Sequence, residues 1–393
     1  LCGPNIRLGN LKSDLRVEKG TTYSLKLSDR SDGDFIPLPA KEAFEVVEEG
    51  DILLLDDGRI RLQVEEVLVE EIRARALNSG VVTSRKSFHI SGKDIEAPPL
   101  TSKDIRDIEF AIRNDLDYLA LSFTRSAEHV RILKDQLVDK GGEEIGVMAK
   151  LETRKGVENV DEIIKVADGV IVARGDLGMH YSLEEIPKIQ RTITQKAVSS
   201  GTPVIVATQL LESMINNPIP TRSEITDIMT AVFERVDALL LTAETSMGAY
   251  PIEAVKWIDR IIQAAEREVT EIKREIDGEL SDRFAQGVVH LSESLNAKLV
   301  VYTKSGKTAV RIASFRPKVD FYALSPSIKV RRKLSLVWGV KSLPVKATDY
   351  DQGLDESLEV GKSRGVISYG DIVVLTYGIR EREAHTIRIL KIV

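Results

Sequence analysis

Lys150 and Glu152 stand two residues apart in the run MAKLET, at the end of an apolar segment. Alternate residues of a strand share a face, so the amine and the carboxylate point the same way. Asp176 follows the apolar run Val170–Ala173 in GVIVARGDLGMH, Thr208 and Gln209 follow PVIVA, and Thr242 and Glu244 follow DALLL. Each polar group lies at the C-terminal end of an apolar strand, where a parallel β/α barrel carries its active site. The set is one cation, two carboxylates, and backbone N–H groups at Gly175 with no side chain in the way. Two carboxylates suit Mg²⁺, which keeps positions for water and phosphate. A lysine beside them suits charge developing on a transferring phosphoryl group or an enolate. Lys150 and Glu152 alone could equally be an ion pair tying strands together; the recurrence of polar groups at four strand ends favours a site.

Other motifs are weaker. TKSGKT, Thr303 to Thr308, lies between a strand and a helix, where backbone N–H groups can cradle a phosphate. A Walker A loop needs glycine five residues before Gly306, and position 301 is Val. Arg85 and Lys86 read either as a solvated pair or as anion ligands. The tripeptide Arg174-Gly175-Asp176 could be an adhesion ligand only on a protruding loop, whereas it ends a buried strand. The five histidines, His89, His129, His180, His290 and His385, form no HxxxH pair, and only His290 and Glu293 have helical ligand spacing. Cys2 is the single cysteine, which excludes a disulfide framework and a cysteine-rich zinc site.

The elements that must position these groups follow from periodicity. Residues 15 to 92 read as a small all-β unit, with Ile60, Leu62 and Val64 alternating with Arg59, Arg61 and Gln63, and a hairpin at Asp56-Asp57-Gly58. From about residue 98, apolar strands alternate with amphipathic helices, which predicts a parallel sheet covered by helices. Thr101 and Ser102 are N-cap candidates, Ser182 and Glu185 have capping-box spacing, and Gly201 sits where a helix-ending glycine belongs. Five strand–helix units plus LCGPNIR supply six candidate strands of a (β/α)₈ barrel, so two strands are expected upstream of Leu1. A charged stretch, 266 to 282, leads to a further α/β unit. The 393 residues, 42% hydrophobic and 30% charged with net charge −6, fit a soluble chain of two or three domains and favour neither nucleic acid nor membrane as a partner. A reducing, cytoplasmic setting is expected.

The segments MAKLETRKGVENVDEI, VARGDLG, PVIVATQLLESM, NPIPTRSE and LLLTAETSMGAYPIEAV, in this order, resemble the pyruvate kinase family. GPNIRLG resembles the family's third barrel strand leading into an inserted domain, LLDDGRIRL that domain's hairpin, and TKSGKTAVRIASFRP the opening of its regulatory domain. The resemblance covers essentially the whole chain. It implies residues 1–11 and 98–275 as an incomplete TIM-type barrel, 12–97 as an inserted β lid and 281–393 as a C-terminal α/β regulatory domain. It implies Lys150 as the lysine that stabilises the phosphoryl group and the enolate, and Glu152 and Asp176 as ligands of Mg²⁺ or Mn²⁺. Gly175, Asp176 and Thr208 would bind phosphoenolpyruvate, with Arg174, Thr242 and Glu244 in support. Arg7 and Lys86 would meet the phosphates of ADP or ATP, and Thr303, Lys304, Ser305, Gly306, Lys307 and Thr308 a phosphorylated effector. Family members are usually cytoplasmic homotetramers.

Departures accompany the match. The family's first two barrel strands, and the residue before Leu1 that is an Asp in the family, lie outside the chain, so only the Leu1 carbonyl represents the potassium ligands. At Asn5 the family carries Glu in potassium-dependent members and Lys in independent ones, which leaves a K⁺ requirement open. Two rival readings are a Mg²⁺-dependent pyruvate aldolase on a related barrel and a catalytically inactive regulatory paralogue; the first lacks the inserted domain and the C-terminal domain.

Overall fold

The structure is a computed structural model and describes residues 1–95, 97–268, 280–379 and 384–393. The chain divides into two compact units, Leu1–Ala167 with Ile171–Ile193, and Asp168–Val170 with Thr194–Val393.

In the first unit the inserted segment folds as a six-stranded sheet, in the order Phe88–Ile90, Ile52–Leu55, Ile60–Val67, Glu71–Ala76, Thr22–Lys26, Ile36–Pro37. The expected alternation holds: Ile60, Leu62 and Val64 are buried while Arg61 and Gln63 are exposed, so this strand gives one face to the core. Asp56, Asp57 and Gly58 close the hairpin with φ of +51°, +53° and +79°. Aspartate and glycine tolerate this left-handed region better than other residues do. The all-β expectation needs one correction. Lys41–Val46 is a short helix that presses Ala43 and Phe44 into the same core.

Strand Tyr118–Leu121 pairs parallel with Gly146–Leu151, with helices Ser102–Arg113 and Ala127–Asp139 between and before them. Strand Gly169–Ala173, buried at every residue, crosses the boundary between the units. LCGPNIR is not a strand: Gly3 has φ +61°, Pro4 has no N–H to give a ladder, and Arg7 makes an isolated bridge to Ser87. Five strands, not six, therefore make up the described parallel run.

In the second unit Val204–Ala207 pairs parallel with Ala238–Leu240. Gly201 ends a helix with φ +68°, as its position implied. The C-terminal sheet runs Val340–Pro344, Phe321–Ser325, Lys298–Tyr302, Ile372–Ile379, Ala384–Lys391, with only the last strand antiparallel. Most of the charged 266–282 stretch lies outside the described residues. Among the described residues no helix is long and apolar enough to cross a membrane.

The Thr101 cap is stronger than its spacing alone implied. The buried Asp104 carboxylate accepts from Thr101 N at 2.8 Å, Thr101 Oγ1 at 2.6 Å and Cys2 N at 2.9 Å. Burial raises the Asp104 carboxyl, but these donors outweigh it and hold the group below its usual range. Asp104→Ala is expected to lower the unfolding free energy by about 1–3 kcal/mol, read from urea denaturation, because buried donors lose their acceptor.

Candidate active site

Glu152 follows the Gly146–Leu151 strand and is fully buried. Its Oε1 accepts from Phe123 N at 2.6 Å. Phe123 turns out of the neighbouring strand with φ +53°, an uncommon conformation for a bulky residue, and this aims its N–H at the carboxylate. Lys150 Nζ lies 2.8 Å from Glu152 Oε2, with side-chain exposures of 26% and 0%. The contact is short but lacks hydrogen-bond geometry, so buried Oε2 has no hydrogen-bond partner. Burial pushes the Glu152 carboxyl up to about 7, against the pull of Lys150, and Asp176 pushes it further in the same direction. Two carboxylates and a lysine thus share one charged site. Just behind them, Thr153 Oγ1 caps the helix Arg154–Glu158 through Gly156 N at 3.0 Å. A Cβ on Gly156 would stand 2.4 Å from the Thr124 carbonyl, so only glycine fits against that loop.

Asp176 sits in the helical turn Arg174–Leu177 that directly follows Ala173. Arg174 is 7% exposed, and its Nη1 donates to Gln190 Oε1 at 3.4 Å. A buried, engaged arginine cannot be read by an adhesion receptor, which disposes of that alternative. Arg174 braces the turn that carries Asp176.

Arg7 and Lys86 lie on the two straps that join the inserted sheet to the rest of the unit. The straps pair through Leu8 N to Lys86 O at 2.8 Å and Phe88 N to Ile6 O at 3.1 Å. Arg7 Nη1 donates to Arg85 O at 3.0 Å, and Lys86 Nζ pairs with Asp56 of the hairpin at 2.8 Å. The Leu1 amino group donates to Ala120 O at 2.7 Å.

The second unit holds the remaining candidates. Thr208 and Gln209 leave their strand with φ +69° and +53°. A β-branched residue in that region is strained, and such strain concentrates at functional positions. Glu244 is buried; its oxygens accept from Leu211 N at 3.1 Å, Thr242 N at 2.8 Å and Thr242 Oγ1 at 3.2 Å. Burial raises its carboxyl, yet these bonds hold it below the usual range, as befits a loop brace. In the TKSGKT loop Gly306 has φ +83° and its N–H is held by Thr303 Oγ1 at 2.9 Å, while Lys304 Nζ lies 4.2 Å from the Tyr350 ring centroid.

A model of the pyruvate kinase barrel domain matches residues 1–255, and one of the pyruvate kinase alpha/beta domain matches residues 282–393. The chain belongs to the pyruvate kinase family. The pyruvate kinase of Aeropyrum pernix is 40% identical over 389 residues, covering 98% of this chain and 84% of that one. That of Thermotoga maritima is 39% identical over 404 residues, with 100% and 86% covered. The crystal structure of pyruvate kinase from Pyrobaculum aerophilum superposes with a TM-score of 0.89 at 38% identity, covering 99% of this chain and 84% of that one. Membership makes the chain a phosphotransferase with a barrel domain and a C-terminal α/β domain, and removes the aldolase reading, which has no place for the second domain match.

Three residues near the family site had no signal in the sequence. His89 on the inserted sheet and His180 just past Asp176 stand edge to face, with ring centroids 6.0 Å apart. His180 Nδ1 lies 3.5 Å from Asp94 Oδ1. None of the three forms a local motif, and the histidines are 91 positions apart by number (180 minus 89).

The raised Glu152 carboxyl has a stability consequence. Between the unfolded value of 4.5 and about 7 folded Glu152 holds more proton than unfolded Glu152, so its own contribution to stability falls as pH rises through that window, opposite in sign to that of the buried histidines His89, His129 and His180. In Lys150→Met the carboxyl loses its cation and this contribution should decline to still higher pH; in Glu152→Gln it should be absent, so the unsubstituted chain loses stability relative to Glu152→Gln as pH rises. Melting temperatures of the metal-free chain from about pH 5 to 9 read both.

Proposed function

We propose that the chain transfers the phosphoryl group of phosphoenolpyruvate to ADP, giving pyruvate and ATP, with Lys150, Glu152, Gly175 and Asp176 at the reacting centre. The observation that carries this reading is the buried, hydrogen-bond-deficient Oε2 of Glu152 beside Lys150, in the field of Asp176. A buried carboxylate oxygen whose charge is offset by one lysine at 2.8 Å suits a metal ligand. Glu152 and Asp176 would hold Mg²⁺ or Mn²⁺, which supplies a positive centre for the phosphoryl and enol oxygens when bound. Two carboxylates would leave coordination positions for substrate and water.

Lys150 places its ammonium where negative charge moves. The phosphorus–oxygen bond of phosphoenolpyruvate breaks as an oxygen of the ADP β-phosphate bonds to phosphorus. The electron pair left on the enolate oxygen then returns as a carbon–oxygen double bond while C3 takes a proton. Lys150 stabilises both the phosphoryl oxygens and that enolate. The Gly175 and Asp176 backbone N–H groups would receive the substrate carboxylate, Thr208 would bind the same substrate, and Arg7 and Lys86 would neutralise nucleotide phosphates. Lys86 must then exchange Asp56 for the nucleotide. The family likewise points to K⁺ as a second cofactor, a cytoplasmic homotetramer and a phosphorylated effector at Thr303–Thr308.

Lys150→Met is expected to cut ATP formation from phosphoenolpyruvate and ADP by at least about 10²-fold, with Mn²⁺ binding by electron paramagnetic resonance nearly unchanged. Glu152→Gln and Asp176→Asn should each weaken Mn²⁺ binding. Ordinary turnover in the lysine variant, or ordinary Mn²⁺ affinity in both others, would discard the assignment. Thr208→Gly relieves a backbone cost of about 1–2 kcal/mol, so it should retain or raise the melting temperature while lowering turnover.

A further inference from the structure

The strap that returns from the inserted sheet passes Asp94 between two loops. The Asp94 carboxylate accepts from Lys155 N at 2.7 Å and Arg154 N at 3.3 Å, at the start of the helix that follows Glu152. On its other side it faces His180 Nδ1 at 3.5 Å, four residues after Asp176. Side-chain exposures of His180 and Asp94 are 5% and 3%, and His180 Nδ1 is buried without a hydrogen-bond partner. One carboxylate therefore touches both loops that carry the metal candidates, and it does so from the strap of the lid. The lid also reaches the Asp176 loop directly: His89 stands against the His180 ring, and a Cβ on Gly58 of the hairpin would lie 3.5 Å from Met179 Sδ. A cavity of about 40 Å³, lined among others by His89, Lys93, Asp94, Phe123, Arg125 and His180, leaves these side chains room to shift.

Resting on the metal assignment above, we propose that Asp94 and His180 form a latch that couples the lid strap to the two metal-bearing loops, with His180 a positioning residue for Asp176. Moving the strap pulls on Asp94, and through it on the Arg154 and His180 ends of both loops at once. The latch responds to protonation. Burial disfavours the charged form of His180; Asp94 and Asp176 favour it and Arg154 opposes it. His89 is also held neutral, first by burial and then by His180 and Arg7, against Asp176 and Asp57. Only one of two adjacent rings carries a proton readily, so acidification converts the loose His180–Asp94 contact into a charge-assisted one and turns His89 away from protonation.

The test is a double-mutant cycle on the full chain with Asp94→Asn and His180→Gln. Mn²⁺ affinity without substrates is measured by electron paramagnetic resonance, histidine titrations by NMR, and amide exchange in residues 88–95 and 174–181. Each single variant should weaken Mn²⁺ by about 10-fold, and the double variant by little more than either. In Asp94→Asn the His180 titration should move to lower pH, since the favouring carboxylate is gone, and exchange should quicken in both segments together. Additive losses, an unmoved His180 titration, or faster exchange in one segment only would overturn the latch. Asp176→Asn separates the two ideas. If it and Glu152→Gln both leave Mn²⁺ binding intact the metal assignment fails, and the latch is then decided by the titration and exchange results, which contain no metal. The conservative Asp94→Asn preserves shape, so an exchange change confined to these segments distinguishes a lost latch from a failure to fold.

Discussion

Burying the Glu152 carboxyl beside Lys150 is the constraint on which the rest depends. Glu152 has no exposed surface, and its charged form is tolerated only through Lys150, the Phe123 N–H and whatever cation joins them. Each supplier needs its own support. Lys150 needs a strand, because only alternation puts it on the face of Glu152. Phe123 needs a left-handed backbone turn. The helix after Thr153 needs Gly156, since any side chain there would strike the Thr124 carbonyl and push the loop away.

The inserted sheet obeys a different logic. Its core, around Leu25, Leu53, Leu62 and Phe88, closes without help from the parallel strands. It is joined to them by two antiparallel straps whose bonds are few, and Arg7 and Lys86 lie on those straps. An independently packed body on narrow straps can move while its interior stays intact. The phosphate-binding candidates therefore belong to the part best able to change position.

Legibility in the sequence followed the range of the interactions. Alternation in Ile60–Val67, the capping residues around Thr101 and the glycine at 201 are local signals, and all three appear as read. The placement of Lys150 and Glu152 at the end of one strand and of Asp176 just past another was legible because the strand period and the strand end are local too. The Lys41–Val46 helix was hidden because six residues are too few to show a helical period. LCGPNIR looked like a strand by apolar content, but Gly3 and Pro4 decide its backbone. The Asp94–His180–His89 cluster could not be read at all. It exists only because a strap, a loop and a sheet edge, remote in sequence, meet in space. The left-handed Phe123 was equally invisible, since nothing in LSFTR marks a turn of that hand.

Charge arithmetic at the site explains why two carboxylates are enough. With both ionised, Glu152, Asp176 and Lys150 sum to −1, which repels a phosphorylated acid. With Glu152 protonated, as its carboxyl near 7 allows, the sum is zero and the site rests without strain. On the proposed assignment, Glu152 and Asp176 holding a divalent cation with both carboxyls ionised would bring the sum to +1, the sign a polyanionic substrate favours. A third carboxylate would hold the metal harder, but it would return the sum to zero and occupy a position that the substrate oxygens need. The raised Glu152 carboxyl therefore lets the proposed site stay close to neutral in the absence of a cation.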